Sequence, residues 1–215
     1  MSKRINRGVD TSAIRKQSLC VVSEFGYAVN PELPLLDESM TLRCKDDLVD
    51  RALAMHCVAA CAVGFDRAPA RAWYEHERLN DFLTPDEMGF LSSDEEGMPC
   101  FLYQIEGIWA LVWCFQLVGF LDFRIACSDD LATLLPDLRK GEPSRKFRGK
   151  ARMRTKEEIM EALDLAYCLH WALVDANIRH RPLPASVKPH IIIERRRALE
   201  WTLSDESWDS ISLDT

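Results

Sequence analysis

The local signatures that announce an enzyme are missing from this 215-residue chain. It has no Gly-x-Gly-x-x-Gly, no Walker phosphate loop, no Gly-x-Ser-x-Gly elbow and no His-Glu-x-x-His. The motif-based grounds for dinucleotide, nucleotide-triphosphate, serine-hydrolase and zinc-protease chemistry are therefore absent. A di-iron bundle needs Glu-x-x-His pairs, but the positions three before each histidine hold Leu53, Trp73, Tyr167, Asn177 and Val187. Long apolar runs are lacking too. The longest, Gly107 to Leu121, is interrupted by Gln116 and is shorter than the roughly 20 residues needed to span a bilayer. No Asn-Gly hairpin signal, alternating strand pattern or internal repeat is present. The N-terminal Met1-Ser-Lys-Arg-Ile-Asn-Arg is basic, but no apolar segment follows it, so a signal peptide is not expected. Eight cysteines, at 20, 44, 57, 61, 100, 114, 127 and 168, are scattered through mostly apolar helical stretches. They read as free thiols of a cytoplasmic chain rather than as a disulfide framework.

What is present is ordinary globular material: 47% hydrophobic residues, 28% charged, six Trp and nine Phe. That is enough for one large core without disulfides or metals. The net charge of −7 argues against a protein that coats nucleic acid or anionic membrane over its whole surface.

The periodicity is helical almost throughout. Asp10, Thr11 or Ser12 can cap a first helix that Gly26 would end. Leu48, Ala52, Met55, Ala59 and Val63 recur at helical spacing over Asp46–Gly64, in a segment apolar nearly all round after Arg51. A more polar helix is expected over 68–82. Thr84-Pro85-Asp86-Glu87 and Thr155-Lys-Glu-Glu158 are capping-box starts. Residues 100–121 read as a central apolar helix, 128–135 as a short one, and Pro189 as the start of the last. The expected fold is all-α: a single-domain irregular bundle of about seven to eight helices around the central one. Within it, residues 1–138 form the N-terminal helices and 155–215 the C-terminal helices and tail.

One compositional break stands out. Between Arg139 and Lys156 lie nine basic residues against one acid, a net of +8, so the rest of the chain carries 18 bases against 33 acids, or −15. With Gly141, Pro143, Ser144 and Gly149 interspersed, residues 139–154 read as a basic flexible connector. Arg145, Lys146, Arg148, Lys150 and Arg152 are its candidate phosphate contacts. Phe147 alone is poor provision for base stacking, so nucleic-acid binding is not the favoured reading.

Charges also fall on apolar stripes. Glu106 lies among Leu102, Trp109, Ala110 and Trp113. His170 is mid-stripe between Ile159 and Leu173, with Asp175 near that helix's end. Arg196 shares a face with Ile192, Leu199 and Leu203, and Glu194 lies close by. Buried unpaired charge costs several kcal/mol, so these groups should meet in a polar network or line a cleft. His56, Cys57 and Cys61 could suggest a metal, but no second ligand pair completes a four-ligand set, and no metal or cofactor is expected.

The C-terminal third carries His170-Trp171-Ala-Leu-Val-Asp175-Ala176, Glu194-Arg-Arg-Arg-Ala-Leu-Glu-Trp201 and Trp208-Asp209-Ser-Ile-Ser-Leu-Asp214-Thr215. These resemble the ending of a bacterial domain-of-unknown-function family numbered 4272. Weaker echoes occur at Leu33-Pro34, Arg51-Ala-Leu53, Leu83-Thr84 with Glu87, and Glu106 through Trp113. Glu200 departs from the Asn often found there, and Gly107 stands where a better helix former is usual. The resemblance implies a helical cytoplasmic bacterial protein and carries no established activity.

Two functional readings follow. The favoured one is non-enzymatic: an immunity protein whose acidic surface blocks a cognate toxin delivered between bacteria, for example by type VI secretion. Asp94, Glu95, Glu96, Asp205, Glu206 and Asp209 are its candidate contacts, with no membrane involvement and the oligomeric state left open, a homodimer included. The other is an enzyme or small-ligand module with a polar pocket around Glu106, His170, Asp175 and Arg196.

Overall fold

A computed structural model describes residues 9–27, 29–93, 99–183 and 188–215. All regular structure among them is helical: α1 (Thr11–Glu24), α2 (Lys45–Ala62), α3 (Arg67–His76), α4 (Pro85–Ser92), α5 (Pro99–Cys114), α6 (Leu131–Leu134), α7 (Arg145–Lys150), α8 (Lys156–Ile178) and α9 (Pro189–Thr202), with 3-10 turns at Asn80–Phe82, Leu138–Lys140 and Trp208–Ser210.

Local chemistry sets most of the ends. Asp10 accepts a hydrogen bond from the Ala13 N–H, and Gly26 follows α1 in the left-handed conformation at φ +83°. Both capping boxes form: Thr84 with Glu87 opens α4, and Thr155 with Glu158 opens α8. The helices pack in the order α1, α8, α9, α5, α2, with α3 and α4 against the outer side of α2. From Leu48 to Ala59, α2 is buried on nearly every side, as its all-round apolar pattern requires. Gly107 permits the close approach around α5. A Cβ there would lie 3.0 Å from the Met55 methyl, 3.6 Å from the Glu194 carbonyl and 3.8 Å from the Trp208 ring.

Two expectations are corrected. The central helix does not run from 100 to 121; it stops at Cys114. Gln116 turns left-handed at φ +58°, and the Leu117 N–H returns to the Val112 carbonyl at 3.1 Å, which closes the helix in a Schellman-like turn. Apolarity continued past the cap, so composition overran geometry.

The basic segment 139–154 is also not an unstructured connector. It contains a 3-10 turn and α7. Phe147 and Ala151, four apart, point inward, and Phe147 packs edge-on against Phe115 at 6.0 Å. The Arg152 and Arg154 N–H groups donate to the Phe115 and Cys114 carbonyls at 3.0 and 2.9 Å. The segment thus satisfies the carbonyls orphaned where α5 ends.

Candidate functional site

The polar groups expected to form one network are sorted into separate clusters, each built on an arginine. Arg195, fully buried on α9, donates from Nε and Nη2 to Glu106 of α5 at 2.9 and 2.5 Å. Its remaining donors reach the Asp122 and Ile125 carbonyls at 2.7 and 2.9 Å, and Glu106 accepts the Cys127 N–H at 3.0 Å. One ion pair therefore closes α5, α9 and the 122–127 loop together. The next residue, Arg196, faces α8 and the tail. Its Nη1 lies 2.8 Å from His170 Nδ1, and it also reaches Glu200 at 3.3 Å and the Leu213 and Asp214 carbonyls at 3.1 Å.

Asp175 belongs to neither cluster. It is half-buried at the end of α8 and pairs with Arg179 at 2.7 Å and with Arg181. Glu194 is half-buried and forms no ion pair among the described residues. Burial raises its carboxyl pKa, opposed by the nearby Arg197 and Arg51. The pocket expected around Glu106, His170, Asp175 and Arg196 is therefore not assembled. The adjacent residues Arg195 and Arg196 can both be buried because α9 is sandwiched between α5 and α8.

Two further buried pairs escaped the stripe pattern. Arg51 of α2 clasps Glu87 of α4 at 2.6 and 2.8 Å and lies 4.2 Å over the Trp208 ring. Glu87 also accepts from Gln104 at 2.7 Å and from the Thr84 N–H at 2.9 Å. Arg15 of α1 pairs with Asp164 of α8 at 2.7 Å and donates to the Leu33 and Pro34 carbonyls at 2.7 and 2.9 Å. That pair ties down the proline-containing stretch after α1. The Glu of the capping box and the lone Arg51 at the edge of an apolar helix were the available signals.

His170 provides a pH-dependent element. Arg196 has only donors, so Nδ1 accepts and the ring is neutral. Burial, then Arg196 and Arg197, lowers its pKa from 6.5 to about 4. A depressed histidine pKa means that the unfolded chain binds the proton first. Its contribution to stability is complete above pH 6.5, falls as the pH drops from 6.5 towards 4, and is flat below that. Urea midpoints measured across this window should fall more steeply for the natural chain than for His170→Gln.

The three residues weighed and set aside as metal ligands lie on α2, largely shielded from water. His56 Nε2 is 2.9 Å from the Pro136 carbonyl, and burial raises the pKa of both Cys57 and Cys61, the latter to about 11. Among the described residues, no group of three or more His, Cys, Asp or Glu could hold a metal ion.

The exposed charges are organised by the tail. Trp208 is inserted between Arg51 and Trp201, the latter ring edge-on at 5.6 Å. Arg43 donates to the Trp201, Ser204 and Glu206 carbonyls at 3.1, 2.6 and 2.7 Å. The turn is thus held by its backbone and its tryptophan. The carboxylates of Asp205, Glu206 and Asp209 remain exposed, without ion pairs among the described residues. The Asp209 carboxyl pKa is raised by partial burial, with Glu87 and Asp86 contributing against Arg51 and Arg197. Asp86, at the start of α4, is exposed beside it. Asp94, Glu95 and Glu96 lie outside the described residues. A groove of about 270 Å³ between α1, α8 and the 119–123 loop is a separate feature, floored by Val21, Trp113 and Leu165 and edged by Glu161 and Phe120. It arises from the break after Cys114, which the apolar run concealed.

The model of a family described as Domain of unknown function (DUF4272) matches residues 15–211. No curated protein and no solved structure matches the chain.

Proposed function

We propose that this chain, which belongs to the DUF4272 family, is a non-enzymatic binding protein, and specifically an immunity protein that neutralises a cognate interbacterial toxin in the cytoplasm. The observation that carries this reading is the anchored C-terminal turn. Three exposed carboxylates, without ion pairs among the described residues, sit on a backbone fixed by Arg43 and by the Trp208 stack. A rigid acidic face costs little ordering entropy on docking and steers a basic partner, such as the cleft of a nuclease-like toxin. The buried carboxylates Glu87, Glu106 and Asp164 are each paired with a buried arginine, which leaves the exposed carboxylates for a partner. No helix among the described residues is long and apolar enough to cross a membrane.

Co-expression with the product of the adjacent upstream gene, delivered by type VI secretion or a similar route, tests the reading. The expected result is a toxic neighbour that this chain renders harmless by forming a complex. The triple variant Asp205→Asn/Glu206→Gln/Asp209→Asn should slow association at least about tenfold at low salt. A harmless neighbour that forms no complex contradicts the proposal, and unchanged association by the triple variant removes the acidic face from it.

A further inference from the structure

The +8 segment, taken as a connector, is a folded surface, and its cations divide into two groups. Lys140 pairs with Asp137 at 3.0 Å, Lys146 with Glu142 at 3.7 Å, and Arg148 with Asp50. Arg154 is used internally, against Glu158 and the Trp113 and Val118 carbonyls, and Lys156 donates to the Glu38 carbonyl at 2.7 Å. Arg139, Arg145, Lys150 and Arg152 remain exposed, with no acidic partner among the described residues. Arg152 Nη1 donates only to the Gly149 and Ala151 carbonyls at the end of α7.

The 138–140 turn and α7 form one folded ledge. Glu142 accepts the Asp137 N–H and sits beside Lys146, which joins the 138–140 turn to the first turn of α7. Phe147 and Ala151 hold the inner side of the ledge in the core. Four of the nine cations thus stay exposed without an acidic partner among the described residues, instead of folding back on the −15 body. A cation kept free of its own protein's acids, on a backbone fixed in place, has its attraction available to an external anion.

We infer that the exposed side of residues 139–152, with Arg139, Arg145, Lys150 and Arg152, is a second interaction surface, one that binds the phosphate backbone of a nucleic acid. The chemistry favours this partner over an acidic protein. A stable protein interface needs an apolar, aromatic-rich centre. None of the exposed large hydrophobic side chains among the described residues lies between 131 and 156, and Phe147 is buried. Phosphate binding needs no such centre, because its driving force is the release of counterions by Lys and Arg. With no aromatic side chain offered to bases, the contact is to phosphates and carries no sequence information. This surface shares no residue with the acidic turn, so the two readings are tested by different variants.

The test is fluorescence anisotropy of the full chain with a labelled duplex of mixed sequence, titrated from 50 to 200 mM salt. Four phosphate contacts give a log–log slope near −3.6, or about a 10²-fold loss of affinity over that range, with a nonspecific Kd in the region of 10⁻⁴–10⁻⁶ M at physiological salt. Arg145→Gln/Lys150→Gln/Arg152→Gln should reduce binding at least about 30-fold at 50 mM salt and flatten the slope. Because these side chains are exposed, its circular dichroism and urea midpoint should match the natural chain. Asp205→Asn/Glu206→Gln/Asp209→Asn should bind at least as well as the natural chain. Absence of duplex binding at 50 mM salt overturns the inference. So does binding to anionic phosphatidylserine vesicles without binding to duplex, or competition by polyglutamate as effective as by duplex at equal charge.

Discussion

Replacing Glu87 with Ala should lower the unfolding free energy by about 3–5 kcal/mol, the cost of stranding a buried arginine. Glu87 and Arg51 are both essentially inaccessible to water. The carboxylate receives two hydrogen bonds from Arg51, one from Gln104 and one from the Thr84 N–H. The substitution removes the counter-ion of Arg51, the capping box of α4 and the partner of Gln104 together. Repacking cannot bring in water cheaply, because Trp208 covers the guanidinium at 4.2 Å. Urea unfolding followed by tryptophan fluorescence measures the loss. Glu87→Gln retains an acceptor for the Thr84 N–H, so it should be milder, and the difference reports the cap separately from the charge. A loss below about 1 kcal/mol for Glu87→Ala would place this pair in the class of weak surface salt bridges.

Glu106→Gln should cost about 3 kcal/mol by the same mechanism, with a local signature of its own. Glu106 neutralises Arg195 and fixes the Cys127 N–H at 3.0 Å. Arg195 in turn holds the Asp122 and Ile125 carbonyls. Loss of the carboxylate should therefore loosen the 122–127 loop before the helices part. Hydrogen exchange at the Cys127 amide should accelerate more than exchange in the middle of α5 or α9. Unchanged stability would contradict a structural role for the Glu106–Arg195 pair.

These pairs mark where sequence reasoning runs out. The starts of α4 and α8 were legible because a capping box is complete within four residues, and the all-α class followed from periodicity sustained along the chain. Arg196 was legible as a core position from its stripe. Arg195 was not, since a single stripe assumes one buried face and α9 has two. Asp164 and Arg15 are 149 residues apart, and nothing in either local pattern names the other. The end of α5 was misread because hydrophobicity says where a segment is buried, whereas a left-handed Gln116 says where the helix stops. In the basic segment, charge and Gly/Pro content outweighed the two inward residues, Phe147 and Ala151, that fold it. The acidic turn was legible as charge, but its fixation by Arg43 and Trp208 was not.

The charges are sorted by place: those inside close the helices together, and we propose that unpaired ones outside serve partners. A double-mutant cycle on Glu106 and Arg195, measured by urea unfolding, tests this most directly. The expected result is a large loss for Glu106→Leu alone and for Arg195→Met alone, with the double variant closer to the natural chain than either. The coupling should then exceed the larger single loss, about 3–5 kcal/mol. Losses that add to within about 0.5 kcal/mol would mean the two groups act independently and would contradict it.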